Sequence, residues 1–273
     1  MKKHQFLLLL FTVALWNFAC AEDSGDDLGS DSEGVSDADS DGDSDGDSDG
    51  DADDNGCTPF EEDMKDKIAD FDMTMTCQIE WPGDNSGIGF YAANDETVDE
   101  GDDGAQYPPH SDEGVGEARE TGFCGGTYSC CTKGNGYNDW GAMIGMEFNP
   151  EDKPQDLTEY KAFRFWAKKM DPETPGFVKV AFPDKFSSPK GGQCEIGGDT
   201  DGCYNDFHEM ITLVDEWTQY EIKFDEIEQA SGWGWPQDEF SQEEVYGINF
   251  QINGTSSVPA YFDFCIDNLE LVK

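Results

Sequence analysis

Three runs near the end of the chain alternate apolar with polar residues, and that period leaves half-buried β-strands as the natural structure for each. The first carries Tyr220, Ile222 and Phe224, the second Tyr246, Ile248, Phe250 and Ile252. In the third the phase slips: Phe262, Phe264 and Ile266 share one parity, and Leu269 and Leu271 have the other. The slip falls at Asp267 and Asn268, which implies a bulge or a bound ion there. Further strands are expected over 68–73, 139–146, 160–168 and 178–182, separated by Gly, Pro and Asp turn signals. The stretch 83–136 is rich in Gly and Asp and reads as long loops carrying one or two short strands. A short helix is expected over 59–67. No long 3.6-residue period appears elsewhere, so the fold class is all-β, a β-sandwich.

Residues 1–20 read as a signal peptide. Lys2 and Lys3 precede an apolar core over 6–16 that is too short for a permanent membrane span. The end of this leader fits two processing routes. Phe18, Ala19 and Cys20 form a degraded lipobox, with Asn17 where Leu is usual and Cys20 as the lipidated residue. Ala19, Cys20 and Ala21 also fit ordinary signal peptidase, which would yield a secreted protein. The first route places the protein on the outer membrane or cell surface, touching the membrane through its lipid anchor only.

Residues 21–56 hold sixteen acidic residues and no Lys or Arg. With almost no apolar side chains they cannot offset their ordering entropy, and they read as a disordered Asp/Ser/Gly-rich tether. Their Asp-x-Asp-Gly repeats look like pieces of calcium loops but lack the bidentate Glu of a complete one. The domain at 57–273 has 45 acidic and 14 basic residues, a formal charge of −31 within the −45 of the chain. That excess argues against nucleic acid and against anionic polysaccharides.

Once Cys20 is removed or lipidated, eight cysteines remain, and export implies disulfides. Zinc is disfavoured: only His110 and His208 remain, no CxxC pair exists, and adjacent Cys130 and Cys131 are poorly placed for a tetrahedral site. Cys194 and Cys203 bracket a Gly- and Asp-rich turn whose closure costs little, and they are expected to pair.

The ordered segments 68–72, 139–141, 160–168, 217–224, 246–252 and 262–271 together resemble the family-11 carbohydrate-binding modules and their relatives with a galactose-binding-like jelly roll. The resemblance implies a jelly-roll sandwich with its first and last strands side by side, clipped by a structural Ca2+ at Asp70, Asp72 and Asp267. The plainer reading of these three acids is solvated strand ends. The resemblance also implies a groove in which sugar faces stack on aromatic rings and hydroxyls meet planar polar groups. Tyr137 and Asp139 stand where the family places binding residues. Trp233 and Trp235 fall in the loop bordering the family's groove. Arg164 and Trp166, opposite in parity to Phe163 and Phe165, would point into it. Trp140, Trp166 and Trp217 also fit as core side chains.

Three functional classes follow. The first is a monomeric, non-catalytic module binding a neutral, glucan-like polysaccharide. The second is a hydrolase using two carboxylates, for which abundant acids are no specific signal and no nucleophile motif is present. The third is a tethered surface lipoprotein that keeps the jelly roll for protein interaction or a structural role. The resemblance favours the first, so the protein is not expected to be an enzyme.

Overall fold

Alternation along the chain becomes two antiparallel sheets in the computed structural model, which describes residues 67–69, 71, 77, 90–109, 118–119, 122–123, 126–149, 151–196 and 202–273. The strands are β1 (Lys67–Ala69), β2 (Tyr91–Asn94), β3 (Ala118–Arg119), β4 (Ser129–Tyr137), β5 (Ala142–Glu147), β6 (Ala162–Lys169), β7 (Phe177–Phe182), β8 (Phe207–Thr212), β9 (Thr218–Lys223), β10 (Gly247–Ile252) and β11 (Ala260–Val272). One sheet runs β3-β4-β11-β6-β9, with β1 also paired to β11; the other runs β2-β5-β10-β7-β8. Counted from β4, the first sheet holds the first, eighth, third and sixth strands, and the second holds the second, seventh, fourth and fifth. That order is a jelly roll.

The inward parity builds the core. Phe163 and Phe165 of β6 face Phe250 of β10, with ring centroids 6.3 and 5.1 Å away, and Phe182 of β7 meets Phe163 edge-on. Such edge-to-face aromatic packing adds to plain area burial. The phase slip in β11 is a bulge: Asp267 lies opposite Trp166 and Glu270 opposite Arg164, so β11 carries one extra residue there. Asn268 absorbs it in a left-handed conformation, φ 48°. The shift returns Leu269 and Leu271 to the core beside Ile266.

β11 is flanked along its length. On one side β6 pairs with it from Phe264 to Val272. On the other, β4 pairs from Ala260 to Ile266, and β1 takes over at Leu269 and Glu270. The first and last strands thus lie side by side.

Three disulfides are formed among the described residues: Cys77–Cys130, Cys131–Cys265 and Cys194–Cys203. Adjacent Cys130 and Cys131 leave β4 on opposite faces, as the two-residue period requires. Cys130 joins the core, while Cys131 bonds its register partner Cys265 across the strands.

Two local expectations need correction. Lys67, placed at the end of a short helix, begins strand β1. Within 83–136, β4 starts at Ser129 and runs nine residues, longer than the short strands expected there. Its sequence is too polar to show an apolar alternation; pairing with β11 and two disulfides hold it in place. The leader 1–20 with Cys20, the tether 21–56, and Cys57, Asp70, Asp72, His110 and Cys124 lie outside the described residues.

Candidate functional site

Each sheet has a face turned away from the core, and the two are finished differently. On the β11 sheet the outward residues of β6 are Arg164, Trp166 and Lys168. Arg164 donates from Nε and Nη2 to Glu221 Oε2, at 3.1 and 2.7 Å, and from Nη1 to Glu270 Oε1 at 2.8 Å. Trp166 is stacked beneath Phe123, with centroids 3.9 Å apart and planes 19° from parallel; Trp217 meets Phe123 from the side. Asp267, 1% exposed, accepts the Phe123 amide on Oδ2 at 3.1 Å and the Asn268 amide on Oδ1 at 2.8 Å. Arg164 and Trp166 are therefore held by protein groups, and neither lines a groove among the described residues. Their outward parity is as expected, but protein groups already occupy this face. Asp267 is the one expected calcium ligand among the described residues. A carboxylate is the kind of hard oxygen donor that Ca2+ takes. No cluster of three or more His, Cys, Asp or Glu residues suited to a metal occurs among the described residues.

Tyr137 also needs correction as a stacking platform. Its ring is 1% exposed, and its hydroxyl accepts the Gln106 amide at 2.5 Å. It closes the end of the core. Asp139 is exposed in the β4–β5 loop, where its amide donates to Asp95 Oδ2 at 2.8 Å. The following Trp140 is exposed rather than core, and its carbonyl accepts from Gln251 Nε2 at 3.3 Å.

The outward face of the β10 sheet is hollowed: Lys179, Asn249 and Ala181 are buried at its floor, and Tyr91, Met143 and Gln251 are half-buried. Register places Met143, Gln251, Lys179 and Met210 in one row across four strands, and Tyr91, Gly145, Asn249, Ala181 and His208 in the next. Over this face lies a groove of about 460 Å³. Asn249 and Gly247 lie along the central strand; Tyr91, Met143 and Glu147 stand on one side. Pro183, Ser188, Pro189, Lys190, Tyr204 and Asp206 stand on the other. Gly145 is required by a close approach: a Cβ there would come within 2.3 Å of Asn249 Oδ1 and 2.7 Å of the Tyr91 hydroxyl. Across that gap the Tyr91 hydroxyl donates to Asn249 Oδ1 at 2.8 Å.

The far wall is held by a dense set of contacts. Tyr204 has φ 70°, which costs a residue with a Cβ about 1 kcal/mol or more. Its amide donates to Ser187 O at 2.8 Å, and the Cys194–Cys203 bridge fixes its predecessor. Its ring stays 53% exposed. Asn205 then ties in the β9–β10 loop: Nδ2 donates to the carbonyls of Ala230 and Trp233 at 2.9 and 2.8 Å, and Oδ1 accepts the Ala230 amide. Trp235 donates its amide to Gly202 O at 3.3 Å. Trp233 and Trp235, 48% and 54% exposed, are thus fixed on the segment that carries Tyr204 and Asp206.

Charge in the groove is balanced and partly buried. Lys179, 7% exposed, donates to Gln251 Oε1 at 3.2 Å; burial pulls its ammonium pKa down, with Asp206 opposing. Burial pushes the Asp206 carboxyl up, offset in part by Ser187 and Lys179. Tyr91 is raised by burial and then by Glu147, Asp206 and Tyr204, so its phenol stays protonated. Lys190 bridges Glu147 and Asp152.

Tyr91, Tyr204, Asp206, Asn249 and Lys179 were not singled out by sequence. The signal for Asn249, Gln251 and Lys179 is their polar identity on interior strands, which alternation alone does not tell apart from an ordinary solvent-facing position. Tyr91 begins a short strand and Tyr204 lies in a Gly- and Asp-rich segment, and neither has a periodic pattern to mark it.

No protein-family profile matches the chain, and no curated protein does. Similar solved structures exist. The family 11 carbohydrate-binding module of a cellulosomal cellulase of Clostridium thermocellum is 15% identical with a TM-score of 0.43, over 76% of this chain and 94% of that one. A family 11 module of the same organism, in complex with a β-1,3-1,4-mixed-linked tetrasaccharide, has a TM-score of 0.44 at the same identity and coverage. A family 30 carbohydrate-binding module is 12% identical with a TM-score of 0.42, over 74% of this chain and 89% of that one. The jelly-roll assignment rests on the strand order itself.

Proposed function

We propose that the protein is an exported, non-catalytic binder of a neutral, glucan-like polysaccharide, which lies in the groove over the β10 sheet. The observation that carries this reading is the combination of Tyr91, Tyr204 and Tyr246 with Asp206, Asn249 and Lys190 along one groove. Aromatic faces receive sugar C–H surfaces, and planar polar groups receive hydroxyls. Trp233 and Trp235 extend the aromatic surface from the same wall. The formal −31 of the domain favours a neutral ligand, because an anionic chain would be repelled at low salt.

Native-gel retardation of the full chain by soluble glucans, xylans and mannans tests the reading. Retardation by at least one neutral polymer, weakened in Tyr204→Ala, is the expected result. No retardation across the panel would transfer the reading to a tethered interaction protein. Two further parts of the proposal are tested separately. Calcium held by Asp70, Asp72 and Asp267 would raise the melting temperature, an increase abolished by chelator and by Asp267→Asn. A lipid on Cys20 would be lost, with membrane association, in Cys20→Ser.

A further inference from the structure

Two buried side-chain atoms among the described residues have no hydrogen-bond partner: Thr132 Oγ1 and Asp206 Oδ1. Thr132 lies opposite Phe264 in the pairing of β4 with β11, on the other sheet. Asp206 lines the groove. It immediately precedes β8 and shares the parity of His208, so it leaves the backbone on the groove side. Its residue is 6% exposed. Asp184 supplies the contrast. It is also buried, yet its Oδ1 accepts from the Phe186 and Ser187 amides and the Ser187 hydroxyl, and its Oδ2 from the Ser241 amide. The protein saturates the carboxylate that shapes a turn and leaves a buried oxygen without a donor on the one that borders the groove, so a ligand reaches it only by displacing the side chains that cover it. A buried acceptor without a donor destabilises the free protein, and a bound donor relieves that cost.

We infer that Asp206 selects the ligand: its Oδ1 accepts a hydrogen bond from a hydroxyl on the side of the glycan that lies against the sheet, and chains with that hydroxyl capped by an ether or ester are rejected. The inference rests on the groove being the glycan site. A pocket built around a polar partner discriminates strongly against analogues that lack it, because its own buried group is then left unpaired.

The site also links binding to pH. Lys179 of β7, Tyr91 of β2, and Asp184 and Ser187 from the loop before Asp206 act on the carboxyl; His208 of β8 bonds the Asp206 carbonyl, and Glu147 of β5 and Tyr204 stand by Tyr91. Burial outweighs the help from Ser187 and Lys179, so the proton is held above the ordinary carboxylate range. A donating hydroxyl favours the ionised form. Affinity therefore falls as the pH drops below the raised pKa and levels off above it. Stability follows the opposite sign. With the folded pKa above the unfolded one, the folded state binds more protons, so this group's contribution declines as the pH rises from the unfolded value through the folded one. Asp206→Asn is accordingly expected to melt no lower than wild type at neutral pH, although it binds less well.

The test uses the full chain in native gels containing β-glucan, xylan or mannan, each in native and O-methylated form. Wild type is expected to bind one native polymer about tenfold more tightly than its methylated form, and Asp206→Asn to lose about tenfold on the native polymer. The ratio between the two forms should then approach one in the variant. Asp206→Ala, read the same way, replaces the Asn variant if that does not fold. If wild type is retarded and the variant is retarded equally, the inference is overturned and the groove reading stands. Equal binding of native and methylated polymer by wild type overturns it too. Wild type retarded by no polymer overturns both.

Discussion

On the sheet centred on β11, the outward side chains are used by the protein itself. Phe123 lies on Trp166, Glu221 and Glu270 hold Arg164, Cys131 is bonded to Cys265, and Asp267 receives backbone amides. On the sheet centred on β10, tyrosines rise beside a buried lysine and a carboxylate oxygen with no donor. Both faces come from strands with the same two-residue period. The difference lies in the segments that cross them. Phe123 lies over Trp166 on the first face, while the segments at 183–190 and 202–206 stand beside the second and wall a groove whose floor, Asn249 and Lys179, is buried. Outward parity therefore identifies side chains free to act only where no loop has claimed them.

The sharpest way to break this comparison is to open the closed face. Replacing Cys131 and Cys265 together with Ser should lower stability by about 2–5 kcal/mol in denaturant titration, yet leave polysaccharide retardation intact in the folded fraction. Loss of retardation at full folding would mean that the two faces are coupled. Trp166→Ala should cost about 3 kcal/mol of stability by removing the partner of Phe123, again without changing retardation. The double variant Trp233→Ala, Trp235→Ala should do the reverse. We expect binding weaker by about 1–3 kcal/mol and a melting temperature within a few degrees of wild type. Equal retardation of this variant and wild type would confine the ligand to the groove proper. The smallest effect on the closed face is expected for Arg164→Ala. Retardation should not change, while stability should fall by about 1–3 kcal/mol because Glu270, its side chain 8% exposed, loses its cation.

Much of the fold was legible because it depends on local parity. The inward residues of β6, β7, β10 and β11 could be assigned from alternation, and the slip at Asp267 and Asn268 located the bulge to the residue. The bounds and length of β4 are not legible because Ser129 through Tyr137 alternates Cys, Lys and Asn rather than apolar residues, and its position is set by partners far away in sequence. The site was less legible for the same reason. Trp233 and Trp235 stood out because large aromatics are unusual in a Gly-rich loop. Asp206 did not, being one of 61 acids in the chain. Its distinction is the donor it lacks after folding, a property of its neighbours rather than of its own identity. Tyr137 misled because a Tyr at a strand end serves equally as a platform or as a plug, and only the Gln106 amide decides between them.

β11 also bears on how the protein is made. β1, β4 and β6 all precede it in the chain, and none of the three pairs with either of the other two; β4 also has β3 and β6 has β9. Until β11 emerges, one half of the sandwich has no centre, and Lys67 waits for Glu270. Pairings that distant are slow to form and leave strands exposed meanwhile. A polypeptide of this design would stay unfinished through most of its synthesis, as the export we propose requires. Any truncation ahead of Ala260 should accordingly yield a product that is degraded or aggregates rather than a smaller domain.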